Sequence, residues 1–176
     1  MKNKVVLLIG GNMGDRHALL EQATVLIQER IGTVVALSGI YETEPWGQFE
    51  VEGGRLEVAS FLNQGLLVDT TLGAHAVLRE TQSIEAFLGR VRPVTTTCSL
   101  QTTKKYHSRT MDIDLIFFND EVIDTPELTI PHPRMHLRRF VLEPLNEIIP
   151  DYRHPLLGLT VGELFSAQIL KEANRR

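Results

Sequence analysis

Apolar positions along the chain fall into short blocks with two different spacings. Val5-Val6-Leu7-Leu8-Ile9 is a short unbroken apolar run, the pattern of a buried strand. Gly10-Gly11-Asn12-Met13-Gly14 ends the run and reads as a tight turn into a helix, with Asp15 as N-cap. Leu19, Ala23, Leu26 or Ile27, and Arg30 then recur at helical spacing, with Gly32 as the stop. Thr33 to Tyr41 reads as a second strand, and Thr43-Glu44-Pro45-Trp46-Gly47 as a turn. Glu50 to Arg55, with Gly53-Gly54, is a polar surface insertion, and Leu56 to Val68 resumes strand character around Phe61-Leu62-Asn63. Asp69-Thr70-Thr71 is read as opening a second helix whose buried stripe is Leu72, Ala76, Val77, Ile84 and Leu88, closed by Gly89.

The later half carries the stretch with the strongest chemical pattern. Ser108-Arg109-Thr110-Met111-Asp112-Ile113-Asp114-Leu115-Ile116-Phe117-Phe118 ends as a strand. Alternate side chains of a strand share a face, so Asp112 and Asp114 project together, roughly 6.6 Å apart along the backbone. Ile113 and Leu115 face the other way, into a core. Beyond Asn119-Asp120-Glu121 come the extended Leu128-Thr129-Ile130, the rigid turn Pro131-His132-Pro133, and a short helix from Arg138 to Leu145 with Phe140 and Leu142 inward. Thr160-Val161-Gly162-Glu163 matches a capping box, opening a last helix on Val161, Leu164, Phe165 and Ile169. With no internal repeat or linker, residues 1–176 are expected to form a single domain, an α/β sandwich with mixed strand directions.

Composition narrows the class of ligand. Net charge is −4 and the pI about 5.9, which disfavours the broad basic footprint of a nucleic-acid binder. The basic residues are instead local. Arg90, Arg92, Lys104, Lys105 and Arg109 occupy an acid-free segment between Glu85 and Asp112. Arg134, Arg138 and Arg139, with His132 and His136, occupy a second between Glu127 and Glu143. Paired carboxylates flanked by two cationic arms suit a metal-bound polyphosphate. The ligands are hard oxygens, so the metal expected is Mg²⁺. By itself Asp-x-Asp on a strand also fits the solvated face of a half-buried sheet. The single cysteine, Cys98, excludes an internal disulfide and reads as a loop thiol in a reducing compartment. No apolar run approaches the ~20 residues of a membrane span, so a cytoplasmic protein is expected.

Other positions carry weaker signals. The glycine-rich segment at 10–14 lacks the Gly-Lys-Ser/Thr ending of a P-loop. Trp46, on a loop, either lines a pocket for a planar ligand or caps the core. Gln82 and Glu85, near the end of the second helix, either face a ligand or are solvated. Residues 92–108 are Thr-rich and basic, long enough for a mobile element closing over a charged substrate.

These motifs together resemble a known family. Arg109-Thr110-Met111-Asp112-Ile113-Asp114-Leu115-Ile116 is similar to the signature of the 6-hydroxymethyl-7,8-dihydropterin pyrophosphokinases. Four further landmarks follow in the family's order: Ile9 to Asp15, Tyr41 to Gly47, Phe61-Leu62-Asn63-Gln64, and Ile130 to Met135. The resemblance implies a ferredoxin-like layered sandwich, its mostly antiparallel sheet covered by helices. It implies transfer of the β,γ-diphosphate of ATP to the hydroxymethyl oxygen of a reduced pterin, with release of AMP. Asp112 and Asp114 would hold two Mg²⁺ ions. Arg90, Arg92 and Arg109 would contact the nucleotide or close over it, and His132 and Arg138 would contact phosphate. Gln82, Glu85, Tyr106 and Thr129 fall at positions near the nucleotide. Phe61 and Phe140 would sandwich the pterin, with Asn63 and Thr43 reading its edge beside Pro45 and Trp46. The resemblance implies a fold acting without a partner domain, and a monomer that engages neither nucleic acid nor membrane is expected.

The chain departs from the family pattern at three places. The 92–109 loop is long, with Tyr106 where many members carry tryptophan. His107-Ser108 replaces a frequent Gly-Pro, and residues 48–60 are extended. The rival readings are another two-metal phosphoryl or nucleotidyl transferase and a non-catalytic nucleotide-binding module.

Overall fold

The computed structural model describes residues 2–44, 50–51, 54–55, 60–89 and 110–174. Strand β1 (Asn3–Gly11) is the apolar run expected near the N-terminus, and Val5 to Ile9 are buried on both its faces. A continuous rather than alternating apolar pattern is what a centrally placed, doubly covered strand requires. β1 lies between β6 (Phe61–Thr70) and β7 (Asp112–Phe118), with β2 (Thr33–Leu37) outside β6. The short β3 (Tyr41–Thr43) also pairs with β6. Helix α1 (Arg16–Arg30) connects β1 to β2, and helix α2 (Ala74–Phe87) connects β6 to β7. This is the ferredoxin-like β-α-β-β-α-β arrangement. The expected layered sandwich is present, and every pairing in this sheet among the described residues is antiparallel.

Two cores flank the sheet. On one face Val5, Leu7, Ile9, Ile113 and Leu115 pack with Leu20, Ala23 and Ile27 of α1 and Val77 and Ile84 of α2. On the other, Val6, Leu8, Ile116 and Phe117 pack with α3 (Arg139–Ile148) and α4 (Val161–Ala173) through Val141, Leu142, Leu145, Val161 and Leu164. Each fully buried Leu or Ile contributes about 2 kcal/mol. That outweighs surface pairs such as Lys4–Asp69 (3.3 Å), worth under about 1 kcal/mol. Smaller elements complete the chain: β4 (Glu50–Val51) pairs with β5 (Gly54–Arg55), and β8 (Ile123–Asp124) with β9 (Thr129–Ile130).

Several element boundaries differ from the sequence reading, each for a tertiary reason. The expected strand 33–41 is two strands, β2 and β3. Between them Ser38 stays joined to β6: its backbone N–H donates to Gly65 O and its hydroxyl oxygen accepts from Gly65 N. Asp69 and Thr70 do not open α2. They continue β6, opposite Lys4 and Asn3, and Gly73 is the N-cap. Gly32 follows α1 as expected, but because a Cβ there would lie 2.2 Å from Asp69 O. Leu20 and Ile27 lead the buried stripe of α1. Asp15 caps that helix as expected, accepting from Ala18 N at 3.1 Å, and both bonds of the Thr160–Glu163 capping box form. Ile169, expected inward, is 41% exposed.

Candidate active site

The site is built where three strands meet in register. Gly10 of β1 pairs with Asn63 of β6 on one side and with Asp112 of β7 on the other. Directly opposed residues share a face, so Asn63 and Asp112 rise from the same side of the sheet, two strand spacings or roughly 10 Å apart. Between them Gly10 presents no side chain. A Cβ on Gly10 would come within 2.8 Å of both Asn63 Oδ1 and Leu62 O. The glycines at 10 and 11, read from sequence as part of a turn, therefore belong to the strand. Gly10 is glycine because the Asn63 amide and the β6 backbone crowd against it. Gly10→Ala is expected to displace the Asn63 amide. A direct titration should then show about tenfold weaker binding of a ligand read by that amide, the worth of roughly one hydrogen bond.

Asn63 is 5% exposed and its Nδ2 donates to Thr43 Oγ1 at 2.9 Å. Because the threonine oxygen accepts there, its own hydrogen remains available to a ligand. Phe61 lies two residues before Asn63 on β6, on the same face and opposite Thr43. Phe140, half-buried at the start of α3, carries the Arg138 guanidinium 5.6 Å from its ring centroid. A cation over an aromatic face is a favourable placement, and it puts the expected phosphate contact next to the expected stacking ring.

On the outer side of β7 lies a cavity of about 280 Å³. It brings together Gln82 and Glu85 of α2, Asp112 and Asp114 of β7, and Thr129 and His132 of the loop that follows. That loop is tied to the aspartate strand itself: His132 N donates to Ile116 O at 3.0 Å. Ile116 is the extra residue of a bulge, since Leu115 faces Leu7 while Phe117 faces Val6. Asp112 and Asp114 are half-buried while Ile113 and Leu115 enter the core, as the alternation predicts. Burial, and next the Arg138 charge, hold the His132 pKa below the usual imidazole value. His132 Nδ1 accepts from Arg134 N at 3.3 Å, so the neutral ring carries its hydrogen on Nε2 and presents a donor.

Among the described residues no group of three or more His, Cys, Asp or Glu converges as a protein cage. Two carboxylates from alternate positions of a rigid strand fit Mg²⁺, which keeps several waters and takes further oxygens from substrate phosphates. A zinc-type closed site would need more protein ligands.

Pro45, Trp46, Arg90, Arg92, Tyr106 and Arg109, with Lys104, Lys105 and Cys98, lie outside the described residues. Sequence reasoning missed the cavity walls Leu78, Thr81, Leu115, Leu128 and Glu127. Leucines at core spacing look alike whether they face a helix or a ligand, so only Leu128, beside Thr129, carried a positional hint.

Comparisons with known proteins identify the family. Residues 6–150 match the family model described as 7,8-dihydro-6-hydroxymethylpterin-pyrophosphokinase (HPPK). The 2-amino-4-hydroxy-6-hydroxymethyldihydropteridine pyrophosphokinase of Bacillus subtilis (strain 168) is 40% identical over 149 residues, covering 84% of this chain and 79% of that protein. That of Aquifex aeolicus (strain VF5) is 32% identical over 167 residues, covering 95% and 93%. A crystal structure of Plasmodium falciparum HPPK-DHPS, wild type with pteroate, superimposes with a TM-score of 0.74 at 17% identity, over 99% of this chain. The chain spans 44% of the length of that protein, and this likeness bears on the fold alone.

Proposed function

The chain belongs to the 7,8-dihydro-6-hydroxymethylpterin-pyrophosphokinase family, and from that premise we propose how its residues divide the work. The protein is an ATP-dependent pyrophosphokinase of folate biosynthesis, moving diphosphate from ATP to 6-hydroxymethyl-7,8-dihydropterin and releasing AMP. One observation carries the assignment of residues: the register that sets Asn63, Gly10 and Asp112 side by side on one face. It leaves a side-chain-free strip between an amide that matches a pterin edge and a carboxylate that suits a metal.

In this reading the pterin lies over Gly10, between Phe61 and Phe140, gaining from stacking on flat rings. The Asn63 amide and the Thr43 hydroxyl read its edge, and Pro45 and Trp46 are assigned to the same ligand. ATP enters the cavity beside β7, where Leu78, Leu115 and Leu128 offer apolar walls and Gln82 and Thr129 polar contacts. His132, through Nε2–H, and Arg138 bind phosphate oxygens. Arg90, Arg92 and Arg109 would contact the outer phosphates, a task suited to bidentate guanidinium geometry, and Tyr106 would contact the nucleotide. Asp112 and Asp114 would hold two Mg²⁺ ions, which would supply neutralisation of phosphate charge and polarisation of the attacking hydroxyl. Held in line, the hydroxymethyl oxygen bonds to the β-phosphorus as the bond from that phosphorus to the oxygen of AMP breaks, and the hydroxyl proton is released to solvent.

We further propose that residues 1–176 act as a single domain, a cytoplasmic monomer that needs neither nucleic acid nor membrane. No helix among the described residues is long and apolar enough to cross a membrane. The test is product analysis. ATP, the hydroxymethyl dihydropterin and Mg²⁺ are expected to give AMP and the pterin diphosphate in equal amounts, with no turnover when pterin or Mg²⁺ is left out. Formation of ADP would instead place the chain among simple kinases.

A further inference from the structure

Burying a carboxylate is expensive unless it is hydrogen-bonded or paired, and Glu85 is a buried carboxylate. It sits on α2 and is 2% exposed, yet it lines the same cavity as Asp112 and Asp114. Its Oε1 accepts a hydrogen bond from Ile113 N at 2.8 Å. Ile113 is the single residue between the two aspartates. Among the described strands β7 pairs with β1 alone. In an antiparallel pair successive peptide groups face alternately towards and away from the partner. Ile113 N–H therefore faces away from β1, while the peptides of Asp112 and Asp114 face towards Gly10 and Leu8. The Glu85 carboxylate takes the place of a neighbouring strand at that one peptide.

We propose that Glu85 is a positioning residue: by pinning the Ile113 peptide from the outer edge, it sets the directions of Asp112 and Asp114 towards a shared divalent-cation site. This rests on the assignment of those aspartates above and adds a role for the reach of the Glu85 side chain. The physical reason is leverage. The Ile113 N–H belongs to the peptide that links Asp112 to Ile113, so a rotation of that plane turns the Asp112 carboxylate directly and moves Asp114 through the backbone shift at Ile113. β1 holds the inner side of the strand through a ladder, whereas the described residues hold the outer side at two points. One is Ile113 N on Glu85, and the other is Ile116 O, which accepts from His132 N.

Two variants of the full chain separate reach from charge. Glu85→Gln keeps an acceptor oxygen at the same distance but carries no charge. Glu85→Asp keeps the charge but is one methylene too short. The readouts are Mn²⁺ affinity in the presence of a non-hydrolysable ATP analogue, followed by electron paramagnetic resonance, and hydrogen exchange of the Ile113 amide in metal-free protein. Glu85→Gln is expected to keep the Ile113 amide protected and the Mn²⁺ Kd within about threefold of the parent. Glu85→Asp is expected to expose that amide and raise the Kd about tenfold, the scale of supporting-group substitutions at metal sites. Protection of the amides bonded to β1 should be unchanged in both.

The reverse order, with Gln weakened and Asp intact, would mean that charge matters rather than reach, and would overturn the proposal. Equal effects in both variants, or none, would overturn it as well. Asp112→Asn serves as the separate control. If it leaves Mn²⁺ affinity unchanged, the metal assignment itself fails, whatever the Glu85 variants do.

Discussion

Asp114→Asn is expected to lower kcat for AMP formation by about a thousandfold, and Asp112→Asn by a similar factor. A thousandfold is about 4 kcal/mol of transition-state stabilisation, in the upper range for loss of one electrostatic group aimed at developing charge. Asparagine keeps the size of aspartate and one oxygen, so packing around β7 is preserved while a full negative charge and one metal ligand are lost. The strand is held by its ladder with β1 and by the burial of Ile113 and Leu115, so neither change should lower the melting temperature by more than a few degrees. The measurement is steady-state AMP release against Mg²⁺ concentration, alongside thermal unfolding. An Asp-x-Asp pair that merely solvated a sheet would behave oppositely, with full turnover in both variants. That result would end the metal assignment.

Asn63→Ala should raise KM for the pterin on the order of a hundredfold, with much less effect on KM for ATP. Asn63 is nearly fully buried and its Nδ2 is committed to Thr43 Oγ1. Truncation removes an amide that matches the donor and acceptor edge of a pterin and also frees the threonine hydroxyl from its fixed orientation. Losing a buried hydrogen-bonding partner costs about 2–3 kcal/mol, which is the size of the predicted change. Because the two side chains act as one unit, Thr43→Ala on top of Asn63→Ala should add little, a non-additivity that a double-mutant cycle reads directly. Equal weakening of ATP and pterin binding would argue that Asn63 only supports the sheet.

Short-range patterns were legible along the chain because they depend on neighbours a few residues apart. The doubly buried β1, the Asp15 cap, the Thr160 capping box and the alternation of Asp112, Ile113, Asp114 and Leu115 all follow from local spacing, and the structure contains each of them. The candidate chemistry was readable for the same reason, since two carboxylates one residue apart on a strand share a face wherever that strand goes. Misreadings arose where a distant segment decided the outcome. Asp69 and Thr70 look like a helix start until Lys4 and Asn3 pair with them. Gly10 looks like a turn until Leu62 O and the Asn63 amide occupy the space its side chain would need.

What the amino-acid order determined by itself, then, was the identity of the reactive side chains, their spacing within each element and the family whose motifs they match. What only the tertiary structure decided was adjacency: Asn63 and Asp112 on one face across Gly10, Glu85 on the Ile113 peptide, and His132 on Ile116. Register between strands, and contact between a helix and a sheet edge, depend on pairs separated by tens of residues. Such pairs are chosen by burial and hydrogen-bond closure over the whole fold, and no local period encodes them.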